Sequence, residues 1–205
     1  MKKLNGLFIT FEGAEGSGKS TQVKLLADYL KAKNIDVEIS REPGGTNIGE
    51  QIREILLNPK NIEMHSITEL LLYSASRAQH IFEKIIPAIN AGKIFISDRF
   101  AFASLAYQGY GRQIDLDIIY KITEIATNKI MPDLIFLLDA PVEIGLEKAK
   151  KKSQNIYNNS TGDRLENEDL DFHQRVRNGY LTLAKTNKNV RLITYDSIEN
   201  VHNQI

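Results

Sequence analysis

A chain that carries G-x-x-x-x-G-K-[ST] between a strand and a helix has few folds open to it. Such a loop works only where a buried strand hands over directly to a helix N-terminus. Here the run is Gly13-Ala14-Glu15-Gly16-Ser17-Gly18-Lys19-Ser20. Its glycines let the backbone curl until N–H groups point inward at phosphate oxygens, Lys19 can reach the outer phosphates, and the Ser20 hydroxyl can ligate magnesium. The positive end of the next helix faces the same spot. The required context is present: Leu7-Phe8-Ile9-Thr10-Phe11 reads as a buried strand, and Thr21 to Leu30 carries apolar residues at 23, 26, 27 and 30. The run predicts a triphosphate cradle.

Further along, Asp36-Val37-Glu38-Ile39-Ser40 reads as a second strand, followed by the polar, Gly-rich loop Arg41 to Asn47. Ile48 to Leu57 and Ser66 to Ala91 have helical spacing, with Gly92 as a stop signal. Ile94 to Asp98, Leu134 to Asp139 and Val190 to Thr194 are three more short apolar runs, separated by helical segments. Near-continuous apolar strands alternating with helices predict an α/β, P-loop NTPase fold: a five-stranded parallel sheet with helices on both faces and ligands at the carboxyl ends of the strands. We expect one domain over residues 1–205. Lys150 to Glu168 lacks apolar periodicity and reads as a mobile surface segment.

Lys plus Arg and Asp plus Glu both number 26, so no global field draws in a nucleic-acid polymer or an anionic membrane. Phosphate chemistry should then be local. The chain has no cysteine, which excludes disulfides, thiolate metal sites and a thiol nucleophile. No apolar stretch approaches the roughly 20 residues that span a bilayer, and the N-terminus has no long apolar leader core. A soluble cytoplasmic protein is the expectation.

If the strands are parallel, Arg41, Asp98-Arg99 and Asp139 converge around the phosphate loop. Asp98 suits a magnesium shell reached through water, or the cap of the next helix. Asp139 is its rival, although Pro141 behind it favours a capping role. Glu12 either touches the metal shell or bonds loop amides. Two arginines after strands fit a second phosphate site, since guanidinium forks bind phosphate bidentately. A phosphomonoester acceptor is already anionic near neutral pH, its second pKa being about 6, so no general base is required. Tyr73 and Arg77, four apart, share a helix face and can hold a flat base or simply pack. His65, His80, His173 and His202 show no metal-like pairing. The chain does not fit a GTP switch well, because Asn128-Lys129-Ile130-Met131 and Asn187-Lys188-Asn189-Val190 both lack the Asp of N-K-x-D. A kinase for another nucleoside monophosphate and a non-enzymatic nucleotide-binding module are the competing classes.

The phosphate loop with Phe11-Glu12 before it and Thr21-Gln22 after it, Arg41-Glu42-Pro43-Gly44-Gly45-Thr46, Tyr73-Ser74-Ala75-Ser76-Arg77, Asp98-Arg99-Phe100 and Ser104-Leu105-Ala106-Tyr107-Gln108-Gly109 together resemble the thymidylate kinase family. The resemblance covers nearly the whole chain. It implies transfer of the γ-phosphoryl group of ATP to dTMP, with ATP on Gly13 to Thr21 and Mg2+ at Ser20 and Asp98. It further implies Glu15 at the sugar 3′-hydroxyl, Arg41 and Arg99 on the dTMP phosphate, Pro43 beside them, and Tyr73 stacked on thymine. Arg77 would donate to a thymine carbonyl, Ser104 and Gln108 would line the pocket, and Tyr107 would crowd the 2′ position. Lys19, Arg99 and Asp98 are the catalytic set. In a basic lid at about 150–168 the expected arginine run is replaced by Lys148, Lys150, Lys151 and Lys152, leaving Arg164 as the catalytic lid candidate. Members are usually homodimers packed through long helices.

Overall fold

In the computed structural model residues 6–157 and 162–205 are described, those of 152–157 as backbone only. The chain runs β1 (Leu7–Glu12), α1 (Lys19–Ala32), β2 (Val37–Arg41), α2 (Asn47–Leu57) and α3 (Ser66–His80). A π-helical turn (Ile81–Ile85) and α4 (Ile86–Asn90) lead to β3 (Ile94–Asp98) and α5 (Ala101–Ser104). After a second π-helical stretch (Leu105–Gly111) come α6 (Leu116–Ala126), β4 (Leu134–Asp139), α7 (Val142–Tyr157), α8 (Leu170–Thr186), β5 (Val190–Thr194) and α9 (Ile198–His202).

All strand pairs are parallel, in the order β2-β3-β1-β4-β5. β1 lies at the centre, so the phosphate loop leaves from the carboxyl edge between β3 and β4, where an open parallel sheet has its crevice. The strand is apolar throughout because both faces are covered. Ile9 and Phe11 pack with Val23 and Ala27 of α1 on one face, while Phe8 packs with Ile81 and Ile85 on the other. Those opposed layers fix the register, since a slip by one residue would exchange the two faces. A third core joins Leu70, Leu105, Tyr107, Phe172 and Tyr180, and lies beneath the loops that follow β3.

Two expectations change. The helix expected over 66–91 contains a π-helical turn at Ile81–Ile85. A π turn adds one residue without altering the apolar pattern enough to be read. The expected surface segment 150–168 is not one piece. α7 continues to Tyr157, residues 158–161 lie outside the described residues, and Arg164, Leu165 and Glu166 are buried. Ion pairs of Arg164 and Glu168 and one buried apolar side chain, Leu165, hold that second part, so no apolar period marks it.

Candidate active site

The phosphate loop is closed from behind by glycine on both sides. A Cβ on Gly16 would lie 1.9 Å from the Gly145 carbonyl oxygen, and one on Gly145 would lie 2.3 Å from that of Glu15. The start of α7 therefore braces the loop backbone directly. Sequence reading did not single out Gly145, since an isolated glycine early in a helix is ordinary. Inside the loop the Lys19 ammonium is buried and donates to the carbonyls of Gly13 (3.1 Å) and Ala14 (2.8 Å) and to Ser17 Oγ (3.2 Å). Burial, with Arg99 nearby, lowers its pKa to about 8, against the pull of Asp98 and Glu15.

Ser20 lies in the first turn of α1, and its hydroxyl donates to Asp98 Oδ2 at 2.5 Å. The parallel register of β1 and β3 brings the pair together across the sheet edge. Both are hard oxygen ligands at an exposed position. Among the described residues no group of three or more His, Cys, Asp or Glu side chains could hold a metal. Two protein oxygens suit magnesium, which keeps most of its waters and phosphate ligands. Asp139 is instead paired with Arg177, from which both of its oxygens accept (2.6 and 2.9 Å). Glu12 is buried, accepting from the Phe100 amide (2.8 Å) and the Tyr180 hydroxyl (3.0 Å). Burial raises its pKa to about 7, against the lowering effects of Arg99 and these hydrogen bonds.

Arg99 is the junction of the site. It adopts φ 74°, a region a non-glycine residue occupies only when its surroundings hold it there. Its own amide donates to the Phe11 carbonyl (2.9 Å). Nη1 donates to the Gly13 carbonyl (2.9 Å) and the Tyr180 hydroxyl (3.2 Å); Nη2 donates to Glu15 Oε1 (2.8 Å) and the Tyr107 hydroxyl (3.0 Å). Tyr107 donates in turn to Glu15 Oε1 (2.9 Å). Burial alone would raise the Glu15 pKa, but Arg99 and Lys19 outweigh it and the carboxyl is held well below its usual range. One guanidinium thus touches the phosphate loop and, on the same face, a neighbouring cavity.

That cavity has about 80 Å³ of free interior space and opens to solvent. Its walls include Glu15, Pro43, Tyr73, Arg99, Ser104, Tyr107 and Gln108, all of them expected from sequence. The second π-helical stretch carries Tyr107 and Gln108, and the α3 helix carries Tyr73.

Three arginines sit differently from expectation. Arg41 is exposed and donates to both oxygens of Glu50 (3.0 and 2.8 Å). It ends the edge strand β2, where a side chain meets the start of α2 rather than the cavity. Arg53 of α2 occupies the wall instead, its Nη1 donating to the Pro43 carbonyl (3.0 Å). Its signal was available, because position 53 shares a helix face with the buried Gly49 and Leu56. Arg77 lies behind the wall: Nε donates to Glu42 (2.8 Å), Nη1 to Ser104 (3.0 Å) and Nη2 to the Phe100 carbonyl (3.0 Å). Those bonds use three of its five donors. The Glu42 carboxylate also meets His80 (3.0 Å), which therefore belongs to a buried network. Arg164 is not over the loop. Its guanidinium is buried against Glu69 (2.7 Å) and the Leu56 carbonyl (2.9 Å). Its neighbours Asp163 and Leu165 line the cavity, a contribution that sequence reading missed. Burial and the charges of Glu15 and Glu166 push the Asp163 pKa up.

On the α7 side, Lys148 donates to the Tyr195 hydroxyl (2.8 Å), and Lys151 pairs with Glu147 one turn away (2.5 Å). The Lys152 side chain lies outside the described residues.

A family model described as Thymidylate kinase matches residues 11–205. A thymidylate kinase of Halothermothrix orenii is 48% identical over 202 residues, covering 98% of this chain and 95% of the relative. One of Clostridium novyi is 50% identical over 180 residues, 88% of this chain and 85% of the relative. Among solved structures, a thymidylate kinase from Ehrlichia chaffeensis superposes with TM-score 0.76 at 35% identity, covering 97% of this chain and 95% of that one.

Proposed function

This chain belongs to the thymidylate kinase family, and from that premise we propose that it moves the γ-phosphoryl group of ATP onto dTMP, giving ADP and dTDP. The observation that carries this reading is the placement of Arg99, which touches the phosphate loop at Gly13 and lines the adjoining cavity. Two phosphate-binding centres that share one guanidinium suit transfer between two nucleotides better than hydrolysis of one.

In this reading the loop amides and Lys19 hold the donor phosphates, and Arg99 with Arg53 holds the acceptor phosphate. The acceptor oxygen, already anionic, bonds to the γ-phosphorus as the bond to the β,γ-bridging oxygen breaks, and that oxygen leaves on ADP. No general base is required. Catalysis is then positioning and neutralisation of charge by Lys19 and Arg99. Ser20 and Asp98 would hold magnesium, which when bound neutralises the phosphate oxygens. Glu15 faces the sugar 3′-hydroxyl. Tyr107, tied to both Glu15 and Arg99, stands where a ribose 2′-hydroxyl would need space. Tyr73 offers its ring to the base, with Ser104 and Gln108 on the surrounding wall. Exposed Ile67 and Leu71 on α3 and Ile118 and Ile125 on α6 support a homodimer packed on these helices. Among the described residues no helix is long and apolar enough to cross a membrane.

The test is an ADP-release assay with dTMP, dUMP, dCMP, AMP and GMP as acceptors. dTMP should give the highest kcat/KM. A higher value for any other acceptor rejects the assignment, and ATP binding without acceptor-dependent turnover favours a binding module.

A further inference from the structure

Glu69, on α3, is fully buried and lies outside every role assigned above. Its Oε1 accepts from Gln108 Nε2 (2.8 Å) and Arg112 Nε (3.3 Å), and its Oε2 from Arg112 Nη2 (3.0 Å) and Arg164 Nη1 (2.7 Å). Arg112 also bonds Glu168 (2.6 Å). Two guanidinium groups thus face two carboxylates, and Arg112 and Arg164 keep Glu69 ionised: its pKa is lowered, although burial alone would raise it. An ionised carboxylate only accepts hydrogen bonds. A side-chain amide against it must therefore present its nitrogen. Gln108 is itself buried and lines the cavity, so its carbonyl oxygen is the end left for the cavity.

We propose that Glu69 is a specificity-positioning residue, whose carboxylate locks the Gln108 amide so that a hydrogen-bond acceptor meets the base. This rests on the reading that a pyrimidine nucleotide fills the cavity. Thymine and uracil carry a donor, N3–H, where cytosine carries an acceptor lone pair. A locked carbonyl oxygen pairs with the first two and leaves cytosine facing an acceptor, and a buried polar mismatch of this kind discriminates strongly. Neutral Gln at position 69 can donate as well as accept, which frees the Gln108 amide to turn over.

The experiment measures kcat/KM for dTMP and dCMP in the wild type, Glu69→Gln, Gln108→Leu and the double variant. Wild-type turnover of dTMP reports on the underlying reading; the ratio of the two acceptors across variants reports on Glu69. Glu69→Gln should lower the dTMP:dCMP ratio about tenfold or more, chiefly through KM. In the Gln108→Leu background the same change should leave the ratio where it is, because the effect travels through that amide. A merely structural role would lower both acceptors together, so an unchanged ratio in Glu69→Gln, or an equal fall in both backgrounds, overturns the proposal. Should Glu69→Gln not fold, the Gln108 side-chain NH2 of the wild type, identified by its loss from 15N spectra of Gln108→Leu, decides. Slow exchange with water is expected, and rapid exchange overturns it.

Discussion

On the cavity side of the phosphate loop polar groups are committed to one another, whereas on the α7 side the charged groups stand in solvent with loose partners. Arg99 alone makes four side-chain hydrogen bonds, and Arg77, Glu42 and His80 are buried as one network. Lys151 and Glu147, by contrast, are both more than two-thirds exposed. A low-dielectric network resists rearrangement, because moving one member strands the others. An exposed pair gives way at little cost. The acceptor half is therefore preorganised, and on the α7 side the exposed lysines can leave their partners to follow a ligand.

The hardest test of that contrast lies at the shared element. Lys19→Ala should lower kcat by about 10³-fold with far-UV circular dichroism unchanged, since charge neutralisation at the transferring phosphoryl group is lost. Near-normal turnover would break the mechanism on both sides. Next comes the pair of arginines that the fold separates. Arg53→Ala should raise KM for dTMP about 10–100-fold, the scale of a charged hydrogen-bonding group removed from a cavity, whereas Arg41→Ala should stay within about threefold. The reverse ranking would move the acceptor phosphate to the edge of the sheet.

Glu12 sharpens the comparison through pH. Its folded pKa of about 7 lies above the ordinary 4.5, so between those values the folded state binds more protons than the unfolded one. Its contribution is fully present below pH 4.5 and is lost as pH rises through 7. Glu12→Gln should remove this dependence, flattening a fall of at most ~3 kcal/mol across that window. Urea midpoints at pH 5 and pH 7 check it, and an unchanged slope in the variant would show the network to be wetter than its burial implies. The smallest effects belong to α7. Lys148→Ala or Lys151→Ala alone should change kcat/KM for ATP by about two- to fivefold, since exposed cations on one helix substitute for each other. A hundredfold loss from either would give the donor side a committed residue of its own.

The five strands, the phosphate loop, the Ser20–Asp98 pair and most of the cavity wall were legible in the chain. The strands, the loop and the Ser20–Asp98 pair rest on short-range information, namely apolar periodicity, glycine spacing or a residue fixed just after a strand, whereas the cavity wall was implied by the family resemblance. In a parallel sheet such residues must gather at one edge, so Arg99 could be placed beside Gly13 across 86 positions of sequence. The places of Arg41 and Arg164 were not legible in this way, because every arginine has the same reach and the same appetite for carboxylates. Their partners are chosen through space. Glu50 lies in front of the edge strand and takes Arg41, while Glu69, buried on α3, takes Arg164.

The sequence by itself thus determined the architecture and the phosphate chemistry, since both follow from local backbone geometry and from which side chains shun water. Only the tertiary structure decided which guanidinium faces the cavity and which way the Gln108 amide is turned. Those choices depend on the positions of buried carboxylates that packing brings together, and long-range electrostatic pairing leaves no periodic trace along the chain.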